Sequence, residues 1–441
     1  MADFLITLAV VLGWAWVANR FIRRFDPDER RLLWVSFLAH QVAAFVNIAV
    51  TKFYYMWGDM MSYYRFGVVA AERLNQDFWS LAPGLFGLIT HRTEPLPVPL
   101  PMEAFPGATG AMQGASAFGM YLFFDSLYAV CAFIAGAAFV SKLGLYKIVR
   151  EELSDLPKVP VLLICTLLPS ALFWSTSLLK EPLAMLGLLS ALYGWHQLLT
   201  GRRVLRAVAL VVSGGLVVVA FKGYILPPLA LAAIAWHVVR KLRDARGDVT
   251  FTAGHVVLAS VVGLLLIAAT GVLLPQFGAD ALGEQLAGLQ TIGATGDGTS
   301  NYSLGATAGS PAAQAALAPL GLLTALFRPV IFEVKTPIVL INALEMLLFQ
   351  LGTVLVVIRR GVLASFSELF RRPFLSFCAV FVLIFGTCVG LGTTNLGSLS
   401  RYRMPLTPFF GALLLALIAR APVSIIVGRL SRRQTVVERL S

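Results

Sequence analysis

The stretch FLSFCAVFVLIFGTCVGLG, residues 374–392, carries no charged side chain over 19 residues. A helix of this length can cross the hydrocarbon core of a bilayer, which needs about 20 mostly apolar residues. By the same measure, the chain contains eleven candidate membrane helices. They cover residues 2–20, 32–56, 114–140, 159–178, 183–200, 207–221, 223–239, 252–274, 336–358, 374–392 and 404–420. The pair 207–221 and 223–239 is short, and it forms either two spans or one re-entrant hairpin.

The composition of the whole chain agrees with this interpretation. Of the 441 residues, 58% are hydrophobic and 13% are charged, and the mean hydropathy is +0.80. A soluble protein carries about 25% charged residues, so this chain has too few charges to cover a soluble surface. The sequence therefore predicts an all-α polytopic membrane protein that forms one integral membrane domain over residues 1–441.

Basic residues are distributed unevenly among the connecting loops. One alternating set of segments holds 25 of the 35 lysines and arginines: 20–31, 141–158, 201–206, 240–246, 359–372 and the tail from 420. Because Lys and Arg collect on the cytoplasmic side, we expect the N-terminus outside and residues 421–441 as a basic cytoplasmic tail. The net charge of +12 has the same origin, so we predict membrane lipids and not nucleic acid as partners.

Two long loops fall on the predicted outer side, at residues 57–113 and 275–335. The first begins with an amphipathic stretch, residues 59–74, and the second ends in an apolar patch at residues 317–327. Loops of this length without secondary structure of their own are usually functional or disordered. The apolar patches indicate segments that lie in the membrane interface.

The first candidate for chemistry is Asp59, which follows the second predicted helix and is followed by Tyr63, Tyr64 and Arg65. Aromatic neighbours partly desolvate a carboxylate and raise its basicity, which suits a general base. Tyr63, Tyr64 and Arg65 would contact the substrate or support Asp59. In the alternative interpretation, Asp59 N-caps an interfacial helix and the tyrosines belong to an aromatic belt.

The second candidate is Lys180-Glu181, in the predicted outer turn before Pro182. The ammonium of Lys180 could pair with phosphate oxygens of a lipid carrier. Lys222, at another predicted outer turn, could join the same phosphate site. The alternative is a lysine that reaches to the interface beside a solvated glutamate.

The third candidate is the pair Arg401 and Arg403 around Tyr402, at the predicted outer start of the last helix. Arginine suits bidentate recognition of phosphate, although two arginines touching lipid headgroups would give the same pattern. Arg328 and Glu333 close the second long loop and add a cation and a carboxylate at the same face. Their alternative role is to anchor that loop.

Asp125 and Glu345 fall inside predicted apolar helices, where an ionisable side chain is a functional candidate by default. Each could equally pair with an outer Arg or Lys and so fix helix packing. The four cysteines lie in apolar runs without metal-ligand spacing. We therefore predict no cofactor; a divalent metal ion stays open as an alternative that no motif in the sequence supports.

These residues together resemble the GT-C class of membrane glycosyltransferases. An acidic residue in the first long outer loop, matched by Asp59, is typical of that class, and the run 401–409 resembles its Arg-Tyr and Pro-Phe pattern near the last helices. The resemblance implies a sugar donor linked to polyprenyl phosphate, a glycan or lipid acceptor, and a place in cell-envelope or exopolysaccharide assembly at the bacterial inner membrane. It assigns Asp59 as catalytic base, with Lys180, Lys222, Arg328, Arg401 and Arg403 binding the carrier phosphate.

The sequence also departs from that class in two places. An extra helix precedes the one before Asp59, and no second acidic residue stands beside Asp59. These departures leave open an enzyme similar to O-antigen polymerases, which joins repeat units linked to lipid pyrophosphate. A lipid or solute transporter, or flippase, is the alternative from a different class.

Overall fold

A computed structural model describes residues 1–92, 94–246 and 310–419, together with Gly288, Gln290, Thr291, Asn301, Tyr302 and Leu304. Among these residues the regular structure is helical, and the only β-type pairing is an isolated bridge between Asn301 and Asn395. Six of the described helices are long and apolar enough to cross a membrane, or seven if one bent pair counts as a span. The prediction of an all-α polytopic membrane protein is confirmed.

The six candidate spans share an apolar composition that lets lipid surround their side chains. They are Ala2–Ile22, Pro27–Tyr55, Leu127–Glu152, Val204–Asp244, Pro337–Arg359 and Pro373–Leu391. Three of them begin with proline, at the first helical position, where a missing N–H leaves no hydrogen bond unmade. The bent pair, Leu396–Tyr402 and Thr407–Ala419, turns by 74°. Pro405 lies in that turn and disfavours helical backbone at the residue before it.

Two of the eleven predicted spans are interrupted in the structure. The prediction of one helix over 114–140 is wrong, because the chain forms Gly107–Leu122 and Leu127–Glu152 instead. Phe124 and Asp125, between them, have left-handed backbone with φ of 52° and 63°, which an α-helix cannot contain. Likewise the predicted span 159–178 consists of two short helices, Lys158–Thr166 and Pro169–Trp174.

The stretch 207–239, predicted to form two spans or one re-entrant hairpin, is part of Val204–Asp244, which counts as one candidate span of 41 residues. A single 3₁₀ turn, Gly223–Ile225, joins its two α-helical parts. The predicted span 252–274, most of the second long loop and the tail 421–441 lie outside the described residues.

The chain divides into two compact units, and the first comprises residues 1–149 and 162–229. Its helices are named in chain order: α1 Ala2–Ile22, α2 Pro27–Ala49 with a π-helical extension Val50–Tyr55, α3 Asp59–Gln76, α4 Phe78–Ile89, α5 Gly107–Leu122, α6 Leu127–Glu152, α7 Lys158–Thr166, α8 Pro169–Trp174, α9 Lys180–Leu199, α10 Val204–Lys222 and the start of α11, Leu226–Arg246.

Helices α9 and α10 form a tight antiparallel hairpin within this unit. Gly187 and Gly214 face each other so closely that a Cβ on Gly214 would lie 2.5 Å from the Gly187 carbonyl oxygen. Small residues at such crossings let two backbones approach and gain packing energy in lipid. Each helix is about 30 Å long, which is enough to cross the hydrocarbon core.

The first long loop is not irregular, because α3, α4 and α5 occupy most of it. Their apolar faces share a core in which Phe66, Leu74, Leu81 and Leu85 are almost fully buried. This core holds the three helices together as one layer and thereby positions the polar residues at their ends.

The second unit comprises residues 150–161 and 230–441. It contains most of α11 and then α12 Pro311–Phe327, α13 Pro337–Arg359, α14 Val362–Arg371, α15 Pro373–Leu391, α16 Leu396–Tyr402 and α17 Thr407–Ala419. Helices α12 and α15 cross at Gly321 and Gly390, where a Cβ on Gly390 would meet the Gly321 carbonyl oxygen at 1.8 Å. Phenylalanine rings stack along α15, and Phe377 also contacts Phe409 of α17 at 5.4 Å between ring centres.

Candidate functional site

A buried ion pair joins α9 and α10 at one end of their hairpin. Oε1 of Glu181, in the first turn of α9, lies 2.8 Å from Nζ of Lys222, in the last turn of α10. The two side chains are 2% and 7% exposed, so water is almost excluded from the pair. Lys222 also donates to the hydroxyl of Tyr224 at 3.1 Å. The sequence pattern placed both charges at helix turns but gave no sign that they pair.

Lys180 directly precedes Glu181 in the sequence and is only half-buried. Its Nζ donates to the hydroxyl of Thr109, in the first turn of α5, over 3.3 Å. This hydrogen bond orients the ammonium of Lys180 toward α5. Of the two predicted phosphate-binding lysines of this unit, Lys180 is therefore the more exposed, whereas Lys222 faces a carboxylate.

Two hydrogen bonds connect the loop helices to this end of the hairpin. One is the bond from Lys180 to Thr109, and in the other Nε2 of His91 donates to the carbonyl of Ala220 over 2.8 Å. Ala220 lies in the last turn of α10, beside Lys222. The first long loop is thus fixed at the end of the hairpin that carries the ionisable residues.

Asp59 is the first residue of α3 and is exposed. Gly58 takes the N-cap position with φ of 142°, so Asp59 itself is not the N-cap that the alternative interpretation expected. A carboxylate in the first turn still interacts favourably with the positive end of the helix dipole. Its exposure means that the aromatic neighbours do not enclose it, contrary to the expected partial desolvation.

The direction of α3 relative to α5 shows which residues lie near Asp59. Oγ of Ser116 donates to the carbonyl of Tyr63 over 2.7 Å. One turn further along α3, a Cβ on Gly67 would meet Ser116 and also Met120, which lies one turn further along α5. The two helices therefore run in the same direction. Asp59 precedes Tyr63 by about 6 Å of helix and Thr109 precedes Ser116 by about 10 Å. Asp59 and the Thr109 partner of Lys180 thus lie at the same end of this helical layer.

The residues predicted to support Asp59 have different environments. Tyr63 is 4% exposed and packs inside the helical layer. Burial raises the pKa of Tyr64, and the negative charge of Asp125 adds to the effect. The guanidinium of Arg65 stacks over the ring of Trp57 at 4.4 Å, which fixes the chain on either side of Asp59.

Asp125 is placed differently from its prediction. It lies in the break between α5 and α6, not inside a continuous apolar helix, and it is only partly buried. Burial raises the pKa of Asp125, and the nearby carboxylate of Glu72 raises it further.

This unit also contains a buried lysine, Lys142, that was not predicted. Lys142 was counted with the inner loop 141–158, but it lies within α6 and is 1% exposed. Its Nζ donates to the carbonyl of Ala171 at 2.9 Å and to Oγ of Ser175 at 2.7 Å. His40 of α2 is fully buried nearby and interacts electrostatically with Lys142. Apolar residues on both sides of Lys142 were the signal that could have revealed it.

In the second unit, Arg328 and Glu333 form an ion pair with each other. The Arg328 guanidinium also lies 4.1 Å from the ring centre of Tyr302. Burial raises the pKa of Tyr302 to about 12, although the charge of Arg328 acts in the opposite direction. These contacts fit the predicted role of a loop anchor, and the prediction of phosphate binding by Arg328 stays a prediction.

Arg403 is 1% exposed and holds the end of α12. Its guanidinium donates to the carbonyls of Ala325 and Arg328 and, over 2.6 Å, to Oδ1 of Asn342. Glu345, one turn beyond Asn342 and 4% exposed, attracts the same guanidinium. This arrangement favours the packing alternative for Glu345, and it surrounds Arg403 with acceptors from the protein itself.

Arg401 lies two residues before Arg403 in the sequence. It is half-buried, and its contacts differ from those of Arg403. Its Nη2 donates to the hydroxyl of Tyr402 at 3.1 Å, and the guanidinium lies 5.0 Å from the centre of that ring. The ring orients the charge, and a planar guanidinium in this position is suited to bidentate contact with phosphate.

Within the part of the chain that the structure describes, no three His, Cys, Asp or Glu side chains are grouped so as to hold a metal ion. No protein-family model matches the chain, and comparisons with curated proteins and with solved structures give no match.

Proposed function

We propose that the protein is a membrane glycosyltransferase that takes its sugar from a polyprenyl-phosphate carrier. The observation that carries this proposal is the placement of Asp59 and the partner of Lys180 at the same end of the layer α3 to α5. A carboxylate and an ammonium at one end of a helical layer are the two charges that such a transfer needs. The short motifs that resemble the GT-C class support the same conclusion.

In the proposed reaction, Asp59 accepts the proton of an acceptor hydroxyl, and the acceptor oxygen attacks the anomeric carbon of the donor sugar. The bond from that carbon to the phosphate oxygen breaks, and the carrier phosphate leaves with the electron pair. Lys180 stabilises the charge of the leaving phosphate in a site that is partly shielded from water. Attack opposite to the leaving group inverts the configuration at the anomeric carbon.

The predicted topology places this chemistry on the outer side of the membrane. Within the hairpin, the turn with Arg202 and Arg203 lies at the opposite end from Lys180. Because basic turns stay in the cytoplasm, the Lys180 end faces outward. We propose eleven spans in which α6 takes the place of the predicted span 114–140, with the N-terminus outside, the C-terminus in the cytoplasm, and the bacterial inner membrane as the location.

Sugar transfer by the purified protein in nanodiscs tests the proposal. The probes are polyprenyl-phosphate hexoses labelled in the sugar, and release of free polyprenyl phosphate is followed together with labelled product. We expect Asp59→Asn to lower turnover by at least about 100-fold, the usual contribution of a general base. Asp77→Asn is the matched control, because Asp77 is also exposed at a helix start and asparagine keeps its N-cap bond to Ser80. Equal turnover in both variants would contradict the proposal.

Buried polar groups in the first unit favour a second candidate, transport of a solute or lipid. Lys142 and His40 lie inside helices that form candidate spans, where ionisable side chains mark ion and substrate pathways. Flux into proteoliposomes that contain the protein, without any covalent product, would support transport over transfer. Extension of a pyrophosphate-linked oligosaccharide, with monophosphate donors left unused, would support the polymerase alternative.

A further inference from the structure

The short helix α14 exposes its apolar face and buries its acidic residue, which is the reverse of a surface helix in a soluble protein. Val362, Leu363 and Phe366 are 68%, 87% and 55% exposed, whereas the carboxylate-bearing residue Glu368 is 4% exposed. At 100° per residue, the three apolar side chains fall within one third of the helix circumference, and Glu368 lies on the other side. In water this arrangement would expose apolar surface and bury a charge, so it requires an apolar surrounding.

Ion pairs keep α14 in this orientation. Glu368 lies 2.7 Å from Nη2 of Arg360 and 3.3 Å from Nε of Arg372. Nη1 of Arg372 also lies 2.8 Å from Oδ1 of Asp155. The arginines lie at both ends of α14, so their bonds to Glu368 hold its polar side against the protein and its apolar side away from it.

The neighbouring helices give the position of α14 along the membrane normal. The candidate span α13 ends at Arg359, and the candidate span α15 begins at Pro373, directly before and after α14. A ten-residue helix that connects the ends of two spans lies at the boundary between hydrocarbon and water. A helix with an exposed apolar face at this boundary enters a bilayer to a depth of about 5–10 Å.

Two further arginines lie at this boundary. Arg359 and Arg371 are exposed, and neither has an ion pair with another described residue. They stand at the two ends of α14, next to the arginines that Glu368 holds. Their charges are thus available to groups outside the protein, at the depth where phospholipid phosphates lie.

We propose that α14 is an interfacial helix that inserts Leu363 and Phe366 among lipid chains and binds anionic phospholipid headgroups through Arg359 and Arg371. The exposed apolar face, the absence of exposed acidic groups on α14 and the two exposed cations all match one occupant, an anionic bilayer surface. The predicted topology places α14 on the cytoplasmic leaflet, where anionic lipids attract basic segments. This proposal does not depend on the glycosyltransferase activity.

Lipid quenching of a fluorophore on single cysteines tests the insertion. The four native cysteines are replaced by alanine, and Phe366→Cys is compared with Ala364→Cys, which is also exposed but about 160° away around α14. In nanodiscs that contain doxyl-labelled phospholipid, we expect the label at 366 to be quenched several-fold more strongly than the label at 364. Equal quenching at both positions would overturn the insertion.

The headgroup preference is tested with the label at position 366. Its quenching by doxyl-phosphatidylglycerol is compared with quenching by doxyl-phosphatidylcholine at equal lipid content. We expect the preference for the anionic lipid to fall by about fivefold for each arginine removed in Arg359→Gln/Arg371→Gln, since each charge near the surface contributes independently. Arg359→Lys/Arg371→Lys keeps the charge and should keep the preference.

Each outcome of this comparison decides the proposal. An unchanged preference in the glutamine variant would show that the arginines do not bind anionic headgroups. Weaker preference in the glutamine variant together with retained preference in the lysine variant would support the proposal. A loss in both variants, with quenching at 366 abolished, would mean that α14 is held by protein contacts of these arginines and would overturn the lipid assignment.

Discussion

Replacing Lys222 by methionine leaves the carboxylate of Glu181 buried without its cation. The two charged atoms are 2.8 Å apart, and the side chains are 7% and 2% exposed. With an effective dielectric constant of about 20, the attraction at this distance is about 6 kcal/mol, and desolvation of both groups opposes most of it. Lys222→Met removes this attraction but leaves the carboxylate of Glu181 desolvated. We therefore expect it to lower the free energy of unfolding by about 3–5 kcal/mol.

The double variant separates the pair from the packing around it. Glu181→Gln alone leaves a buried ammonium and should cost a similar amount, whereas Glu181→Gln/Lys222→Met removes both charges together. We expect the double variant to lose only about 1 kcal/mol, so the two changes should couple by at least about 5 kcal/mol. Denaturant titration in mixed micelles, followed by circular dichroism, gives the four free energies of unfolding.

Two results would contradict a stabilising ion pair between Glu181 and Lys222. If Lys222→Met leaves the free energy of unfolding unchanged, then Glu181 has access to water or to another cation. If the double variant loses as much as the sum of the two single variants, then the side chains stabilise the hairpin separately and the ion pair contributes nothing.

Three further predictions concern stability. Burial and Glu72 raise the folded-state pKa of Asp125, so its charge destabilises the fold as pH rises. Asparagine suits the left-handed backbone at this position. Asp125→Asn should therefore raise the melting temperature at neutral pH and leave it unchanged at about pH 3. Arg403→Lys should lower the free energy of unfolding by about 2–4 kcal/mol, because an ammonium cannot reach all the acceptors of the buried guanidinium; an unchanged melting temperature would contradict this. Gly390→Ala should abolish detergent-stable folding, judged by size-exclusion profile, because its Cβ meets the Gly321 carbonyl, whereas Gly215→Ala, with open space around it, should be tolerated.

The sequence made much of the fold predictable, because a spanning helix has a length and an apolar content that are set by the bilayer. The spans that begin at Pro27, Pro337 and Pro373 were each predicted to within about five residues. The break at Phe124 and Asp125 was not predictable from hydropathy, since left-handed backbone at two residues leaves the apolar composition unchanged.

The candidate site was predictable in its residues more than in their contacts. Charges near apolar helix ends pointed to Lys180, Glu181 and Lys222, but which charge neutralises which depends on how α9 packs against α10. The apolar run before Lys142 predicts a helix that ends at residue 140, which leaves Lys142 in the following loop. The structure extends that helix to Glu152 and buries Lys142 inside it.

Turnover as a function of donor concentration, measured side by side for the wild type, Asp59→Asn and Lys180→Gln, tests the proposed roles of Asp59 and Lys180 in sugar transfer. If Asp59 is the base and Lys180 holds the carrier phosphate, Asp59→Asn should lose kcat with little change in KM for the polyprenyl-phosphate sugar. Lys180→Gln should raise KM and also lower kcat, since the phosphate gains charge as it leaves. Wild-type kinetics in both variants, with sugar transfer intact, would contradict the assignment of these two residues to the reaction.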